Sequence, residues 1–281
     1  MENEFLKKVK ARIDGSIIIT DEEIMAPHLI DWRGNFKGHA KAILMPTNTK
    51  MVSTIMKIAN DENQTIVPQG GNTGLVGGGI PNQTGESIIL SLKKMNSIIE
   101  FSPVNRTITV QSGCILQRIH EVVENENLYF PLNLAARGSC TIGGNLATNA
   151  GGLNVLRYGT MREQCIGLEI VLADGTIINE LTNLRKDNTG YDLKNLFVGS
   201  EGTLGIITGA CLKLFSKPLT RVTTLAVIQK FEHGLKLLDR LQHQSGDQVE
   251  SFEIMPKTLL DIVYKQFPDI SHPIKLETGF I

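Results

Sequence analysis

Three glycine-rich segments carry most of the chemistry that this chain offers. In the first, Pro68-Gln69-Gly70-Gly71-Asn72-Thr73-Gly74-Leu75-Val76-Gly77-Gly78-Gly79, six of the eleven positions from Gln69 are glycine, and the apolar run Thr65-Ile66-Val67 leads directly into it. Such a loop presents backbone N–H groups with little side-chain obstruction, which is the chemistry of an anion cradle. Asn72 and Thr73 add donors without charge. The pattern lacks the long helix that follows GxGxxG and the lysine of GxxxxGK[ST], so it argues against a Rossmann fold and a P-loop. Standing alone, it leaves a flexible surface turn as the lesser alternative.

The second segment, Pro131 to Gly152, is a nearly unbroken run of small residues and uncharged donors, and its glycine-rich character continues to Gly159. Small residues suit the packing of a large planar ligand against backbone. The third, Asp192 to Thr208, again sets glycines beside an apolar strand. Two separate donor-rich segments suggest one ligand carrying a pyrophosphate and an extended ring system.

Other candidates have plainer readings. His28, His39, His120, His233, His243 and His272 form no metal-ligand spacing. Each reads as structural or solvated, with His120 on the polar side of a helix. Trp32 and Arg33 are explained by packing at a subdomain edge as well as by ligand contact. Leu184-Arg185-Lys186-Asp187 reads as a solvated face, with Lys186, Asn188 and Tyr191 as lesser candidates for a pocket border. Cys114, Cys140, Cys165 and Cys211 lie far apart and read as reduced thiols, Cys140 as a packed one near the ligand.

The elements that must hold these segments follow from periodicity. Met51, Val52, Ile55, Met56, Ile58 and Ala59 predict a helix capped by Asn48 or Thr49. Strands are expected at 65–68, 87–92 and 107–111, and a helix at 116–125. A hairpin is expected from 167–172 and 176–179 around Ala173-Asp174-Gly175, and a strand at 206–215. Pro218 marks a boundary. Beyond it the sequence predicts a strand at 223–228, a helix at 232–242, a strand at 249–254, a helix at 257–265 and an extended segment at 274–281, the alternation of a sheet covered by helices on one face.

The 281 residues include 28 basic and 29 acidic side chains, a net charge of −1, and 41% are hydrophobic. The balance argues against nucleic acid and anionic membranes as partners, and the composition against disorder. The 27 glycines exceed the usual share of ~7%. No run reaches the ~20 apolar residues of a membrane span, and the N-terminus lacks the core of a signal peptide. The expectation is a cytoplasmic chain, with any membrane association passing through a partner.

In order and spacing, the three segments resemble the FAD-binding domain of the vanillyl-alcohol oxidase (PCMH-type) superfamily. The branch resembled is that of D-2-hydroxyglutarate and D-lactate dehydrogenases and the glycolate oxidase flavin subunit. Pro68 to Gly78, Met95-Asn96, the second segment through Arg157-Tyr158-Gly159, and Leu184 to Leu193 carry the likeness, which spans roughly residues 31–215. It implies an α+β fold: a two-subdomain PCMH-type FAD-binding domain over 1–217, then the start of an α+β substrate (cap) domain over 218–281.

The resemblance implies that Gly70 to Leu75, with Pro68 and Gln69, hold the pyrophosphate. Gly138, Ser139, Ile142, Gly143, Asn145, Ala147, Thr148, Gly151 and Gly152 would line the flavin and its chain. Ile206 would lie near the adenosine end, and Asn96, Pro131, Leu132 and Tyr158 complete the cofactor set. Some relatives carry a histidine at the position of Asn72 that bonds covalently to flavin, so the expectation here is non-covalent FAD. Many relatives carry arginine where this chain has Gln69, which removes a positive charge near the phosphates.

The implied reaction oxidises a D-2-hydroxy acid by hydride transfer to flavin N5 while a base takes the hydroxyl proton. A quinone or an electron-transfer flavoprotein would then accept the electrons. In the family, a divalent metal held by histidines and a glutamate, with arginine and lysine, binds the carboxylates from the C-terminal domain. Glu253 matches the start of that domain, and no metal-site histidines follow it. No catalytic residue and no metal ligand is assigned within this chain, and a metal is expected only if that C-terminal region is supplied. The alternative is a flavin-binding subunit or incomplete remnant whose substrate chemistry needs a partner chain.

Overall fold

The computed structural model describes residues 3–270 and 279–281. The chain divides into two compact units, Met1–Gly152 with Thr160–Lys217, and Leu153–Gly159 with Pro218–Ile281.

The first unit holds two sheets. Its N-terminal part contains α1 (Glu4–Arg12), β1 (Ile18–Ile19), α2 (Glu22–Met25), β2 (Ala42–Leu44), α3 (Thr49–Asp61), β3 (Ile66–Gln69) and β4 (Ile88–Ser91). The strands form a sheet in the order β1-β2-β4-β3, with β2, β4 and β3 parallel and β1 antiparallel. Asn48 caps α3 by accepting a bond from the Met51 N–H at 3.0 Å, and Val52, Ile55, Ile58 and Ala59 turn inward. Alternation along β2 and β4 sends Ala42, Leu44, Ile88 and Leu90 to the core shared with α1 and α3, while Ile43 and Ile89 face Met25 on the other side. Because β3 and β4 are parallel neighbours, the chain must return the length of the sheet between them. Residues 70–87 make that return without a helix, and so hang the first glycine segment off the carboxyl end of β3.

The second sheet is antiparallel. It is built from β5 (Ile98–Ser102), β6 (Thr107–Gln111), β8 (Cys165–Val171), β9 (Ile177–Glu180) and β10 (Ile206–Lys213) in the order β5-β6-β10-β8-β9. Between its strands run α4 (Leu116–Glu124), β7 (Leu128–Tyr129), α5 (Ile142–Ala147), α7 (Met161–Gln164) and α8 (Lys194–Phe197), while α6 (Val155–Tyr158) belongs to the second unit. A short β11 (Phe215–Ser216) pairs with β7. The core of this part gathers Ile108, Val110, Leu116, Ile119, Phe130, Leu132, Ile142, Leu168, Ala210 and Leu212, all essentially without exposure. Polar ties join the two parts: Glu169 accepts from the hydroxyls of Thr49 and Thr208, and Ser53 donates to the Gly175 carbonyl at the turn of the β8–β9 hairpin.

The second unit contains α6, α9 (Phe231–Ser245) and α10 (Lys257–Gln266). The strands expected at 223–228 and 249–254 do not form. Among the described residues the first stretch meets Phe280 through a single bridge from Ile228, the second makes none and is followed by a single bridge from Pro256 to Phe280, and one bridge is not a ladder. Of the expected segment 274–281, residues 274–278 lie outside the described residues. Within this unit Glu250 accepts from Arg157 at 3.3 Å, from the Tyr158 hydroxyl at 3.2 Å and from Arg221 at 3.0 Å.

Candidate cofactor site

The first unit contains a cleft of about 390 Å³ whose walls come from all three glycine segments. Two glycines of its lining pack closely on the second segment, Gly71 against backbone and Gly70 against a side-chain hydroxyl. A Cβ on Gly71 would sit 2.2 Å from the Ser139 carbonyl oxygen, and one on Gly70 would sit 2.6 Å from Thr141 Oγ1. These two glycines therefore join the first segment to the second, a role distinct from the phosphate approach expected of them. Gly74 differs: a Cβ there would meet nothing within 4 Å, which leaves open space over the loop.

The backbone N–H groups of residues 70–79 donate to no acceptor among the described residues. The loop keeps this open form because side chains tie it from behind. Gln69, 2% exposed, donates through Nε2 to the carbonyls of His28 at 2.9 Å and Gly79 at 2.8 Å, and its Oε1 lies 2.5 Å from His28 Nδ1. Asn72, in the left-handed region at φ 57°, donates through Nδ2 to Pro27 O at 3.1 Å and Ile30 O at 2.9 Å. The amide nitrogen of Asn72 thus serves the loop, where the sequence reading offered it as a donor to ligand. Gln69 likewise spends its side chain inside the protein.

Two buried hydroxyls in the cleft wall, Ser112 Oγ and Thr141 Oγ1, have no hydrogen-bond partner among the described residues. A buried hydroxyl without a partner is costly, so a polar ligand atom arriving there relieves the cost. Among the described residues the lining carries the carboxylates of Asp31 and Glu201 and no lysine, arginine or histidine. Asp31, 4% exposed, accepts from the N–H of Phe36 at 2.6 Å and of Arg33 at 3.2 Å, which shapes the turn that follows it. Glu201 takes φ 52° and donates its N–H to Ala147 O at 2.9 Å. Cys140 also lines the cleft, 2% exposed, its thiol pushed above the usual range by burial.

Of the residues named from the sequence, Pro68, Gln69, Gly70, Gly71, Asn72, Thr73, Gly74, Gly143, Asn145, Ala147, Thr148 and Ile206 line this cleft. Leu75, Asn96, Pro131, Leu132, Gly138, Ser139, Ile142, Gly151 and Gly152 are not among its lining residues. Leu132 and Ile142 are buried in the core of the second sheet, and Gly152 makes a turn at φ 74° where a Cβ would strike the Asn133 carbonyl. Tyr158 lies in the second unit, bonded to Glu250. Asp31, Ser112, Thr141 and Glu201 are lining residues that sequence reasoning missed. Thr141 and Glu201 sit inside the glycine segments, which is the signal that pointed to them, whereas Ser112 is marked only by following β6.

Elsewhere, Trp32 is 73% exposed and does not pack at a subdomain edge. His120 is half-buried, its Nε2 3.0 Å from Leu132 O, and it is not on a polar face as expected. Lys186, Asn188 and Tyr191 are exposed and lie outside the cleft lining. Among the described residues no group of three His, Cys, Asp or Glu side chains could hold a metal ion, and no helix is long and apolar enough to cross a membrane.

A glycine loop whose N–H groups find no acceptor among the described residues, hung from the parallel pair β3–β4 and packed against the small residues of the second segment, defines a module for a nucleotide-type cofactor. Residues 40–180 match the family described as the FAD binding domain, and the chain belongs to that family. It is 44% identical over 246 residues to the D-2-hydroxyglutarate dehydrogenase, mitochondrial, of Bos taurus, a match covering 88% of this chain and 45% of that protein. The chain spans about half the length of the curated relatives it matches. Among solved structures, alkyldihydroxyacetonephosphate synthase superposes with a TM-score of 0.77 at 22% identity, covering 95% of this chain and 50% of the other. p-Cresol methylhydroxylase superposes at 0.69 with 22% identity, covering 85% and 48%. At those identities the likeness establishes the fold, which is the PCMH type.

The residues present fit FAD: an open loop of free N–H groups, room above Gly74, and two orphaned hydroxyls in the wall.

Proposed function

We propose that this chain binds FAD non-covalently and forms the cofactor half of a D-2-hydroxy acid dehydrogenase. The observation that carries the reading is the row of unpaired backbone N–H groups from Gly70 to Gly79, held open by Gln69 and Asn72. Residues 1–217 are the FAD-binding domain in this reading, and residues 218–281 begin the substrate domain.

Bound FAD would supply a two-electron acceptor for the hydride of the substrate carbon. The chain's own part is to bind and orient. The loop N–H groups would hold the diphosphate by hydrogen bonds from uncharged donors to its anionic oxygens, and the Ser112 and Thr141 hydroxyls would be available to polar atoms of the same ligand. Ile206, Ile207, Ala147 and Ala150 supply apolar wall that keeps water from the rest of it. No side chain of this cleft is assigned as the base that takes the substrate hydroxyl proton.

Identity to the D-2-hydroxyglutarate dehydrogenase of Bos taurus supports D-2-hydroxyglutarate as the acid; a quinone or an electron-transfer flavoprotein is the acceptor class in this reading. A divalent metal enters the reading only with residues outside this chain. For localisation the reading remains the cytoplasm; that relative is named mitochondrial, so cell fractionation decides.

A second reading is a flavin-binding subunit completed by a partner chain. The specific observation in its favour is that the cleft offers no cationic side chain for a substrate carboxylate. Anaerobic mixing of the FAD-loaded chain with D-2-hydroxyglutarate, D-lactate or glycolate separates the two: bleaching of the flavin supports the first, and persistent oxidised flavin with all three supports the second.

A further inference from the structure

His28 lies outside the lining of the cleft, yet it is built into the loop that forms it. The residue is 7% exposed, at the end of the turn Ala26–His28 that follows α2. Its partner Gln69 has a fixed orientation. Nε2 of Gln69 donates both its hydrogens, to the carbonyls of His28 and Gly79, so Oε1 must be the acceptor facing His28. His28 therefore carries its proton on Nδ1 and donates it across 2.5 Å. Burial disfavours the imidazolium here, and Lys93 adds to that effect against the opposing bond to Gln69. The turn grips the loop a second time, since Asn72 donates to the carbonyls of Pro27 and Ile30 on either side of His28. Residues 69, 72 and 79 are thereby tied to one short turn, some forty positions earlier in the chain.

We propose that His28 is a positioning residue for cofactor binding: by donating to Gln69 it fixes the amide that bridges the turn to Gly79, and so holds the glycine loop in the open form whose N–H groups can receive a diphosphate. Without the Nδ1–H, Gln69 keeps its two donor bonds but loses the partner of Oε1, so its amide is held at one end only and the bridge to Gly79 becomes one of several arrangements. The loop then samples states whose N–H groups no longer converge, and the ligand binds only the fraction that remains competent. The proposal rests on the FAD reading above.

The test uses the full chain and titrates FAD, and separately ADP as a diphosphate probe, by calorimetry. His28→Leu is expected to weaken both ligands about tenfold, the worth of one buried hydrogen bond, and to lower the melting temperature of the ligand-free protein by a few degrees because Gln69 Oε1 is left without its donor. His28→Asn, which restores a donor near the Nδ1 position, is expected to recover affinity to within about threefold. In a Gln69→Met background, His28→Leu is expected to cost less than about twofold, because the route through Gln69 is already gone. Should His28→Leu not fold, Gln69→Met alone decides, with a tenfold loss expected. Wild-type affinity in the folded His28→Leu or Gln69→Met protein overturns the proposal and leaves the FAD reading intact. A full tenfold loss on adding His28→Leu to Gln69→Met also overturns it. Failure of the wild-type chain to bind FAD or ADP removes the FAD reading itself.

Discussion

Gly71 and Gly74 lie three residues apart in one loop, and the structure assigns them opposite roles that alanine substitution separates. At Gly71 a Cβ would stand 2.2 Å from the Ser139 carbonyl oxygen and 3.0 Å from Cys140 Cα, both backbone atoms that cannot rotate away. The overlap is about 1 Å against ordinary contact, so the two glycine segments must part. Overpacking of this kind costs about 1–3 kcal/mol. For a unit of this size each kcal/mol lowers the melting temperature by about 2–4 °C. Gly71→Ala should therefore melt several degrees below wild type with or without cofactor. At Gly74 a Cβ meets nothing within 4 Å and the backbone is not left-handed, so Ala there should leave the ligand-free protein unchanged or about 0.4–1 kcal/mol more stable. If the open space over Gly74 is where the diphosphate approaches, the same methyl group should weaken FAD by about tenfold or more. Differential scanning fluorimetry with and without FAD, together with an equilibrium titration, reads both effects. A Gly71→Ala protein as stable as wild type, or a Gly74→Ala protein that binds FAD as tightly as wild type, would refute the reasoning.

Removing the orphaned hydroxyls by Ser112→Ala or Thr141→Val should leave ligand-free stability within about 0.5 kcal/mol and cost about 1 kcal/mol of FAD affinity each, read by titration. Because the cleft holds two carboxylates and no cation, raising NaCl from about 0.05 M to about 0.5 M should not weaken FAD, and a tenfold weakening would point to basic residues outside the lining. Burial lowers the pKa of His28 and of His120 from the ordinary 6.5, so the unfolded chain takes up protons first as pH falls. Stability present above about pH 6.5 should thus be lost below it, and the urea midpoint should drop between about pH 7.5 and about pH 5.5. The carboxylates whose pKa is lowered, such as Glu163, act below 4.5 and leave this window clear.

Much of this architecture was legible because it is local. The cap at Asn48, the inward stripe of α3, the limits of β6 and the turn of the β8–β9 hairpin each follow from neighbours in the chain. Short strands were not: Ala42-Ile43-Leu44 is three residues, and its strand character comes from parallel pairing with Ile88–Leu90. The strands expected at 223–228 and 249–254 have the right composition and lack a ladder partner among the described residues, a matter of pairing that composition does not record. At the site, the glycines were visible and their division of labour was not. Gly71 faces Ser139 and Gly74 faces space, which only the packing of the two segments decides. The His28–Gln69 pair spans 41 positions with no periodic signal between them. Ser112 joins the wall because β6 ends where α5 begins to pack, Gly143 donating to its carbonyl at 2.7 Å.

The central claim is that this chain holds FAD in the cleft beneath the Gly70–Gly79 loop without a covalent bond. The most direct measurement is flavin content after reconstitution with excess FAD and gel filtration, followed by acid precipitation. The account predicts about one flavin per chain that elutes with the protein and is released wholly into the acid supernatant. A protein that emerges colourless would contradict FAD binding, and a pellet that stays yellow would contradict the non-covalent attachment.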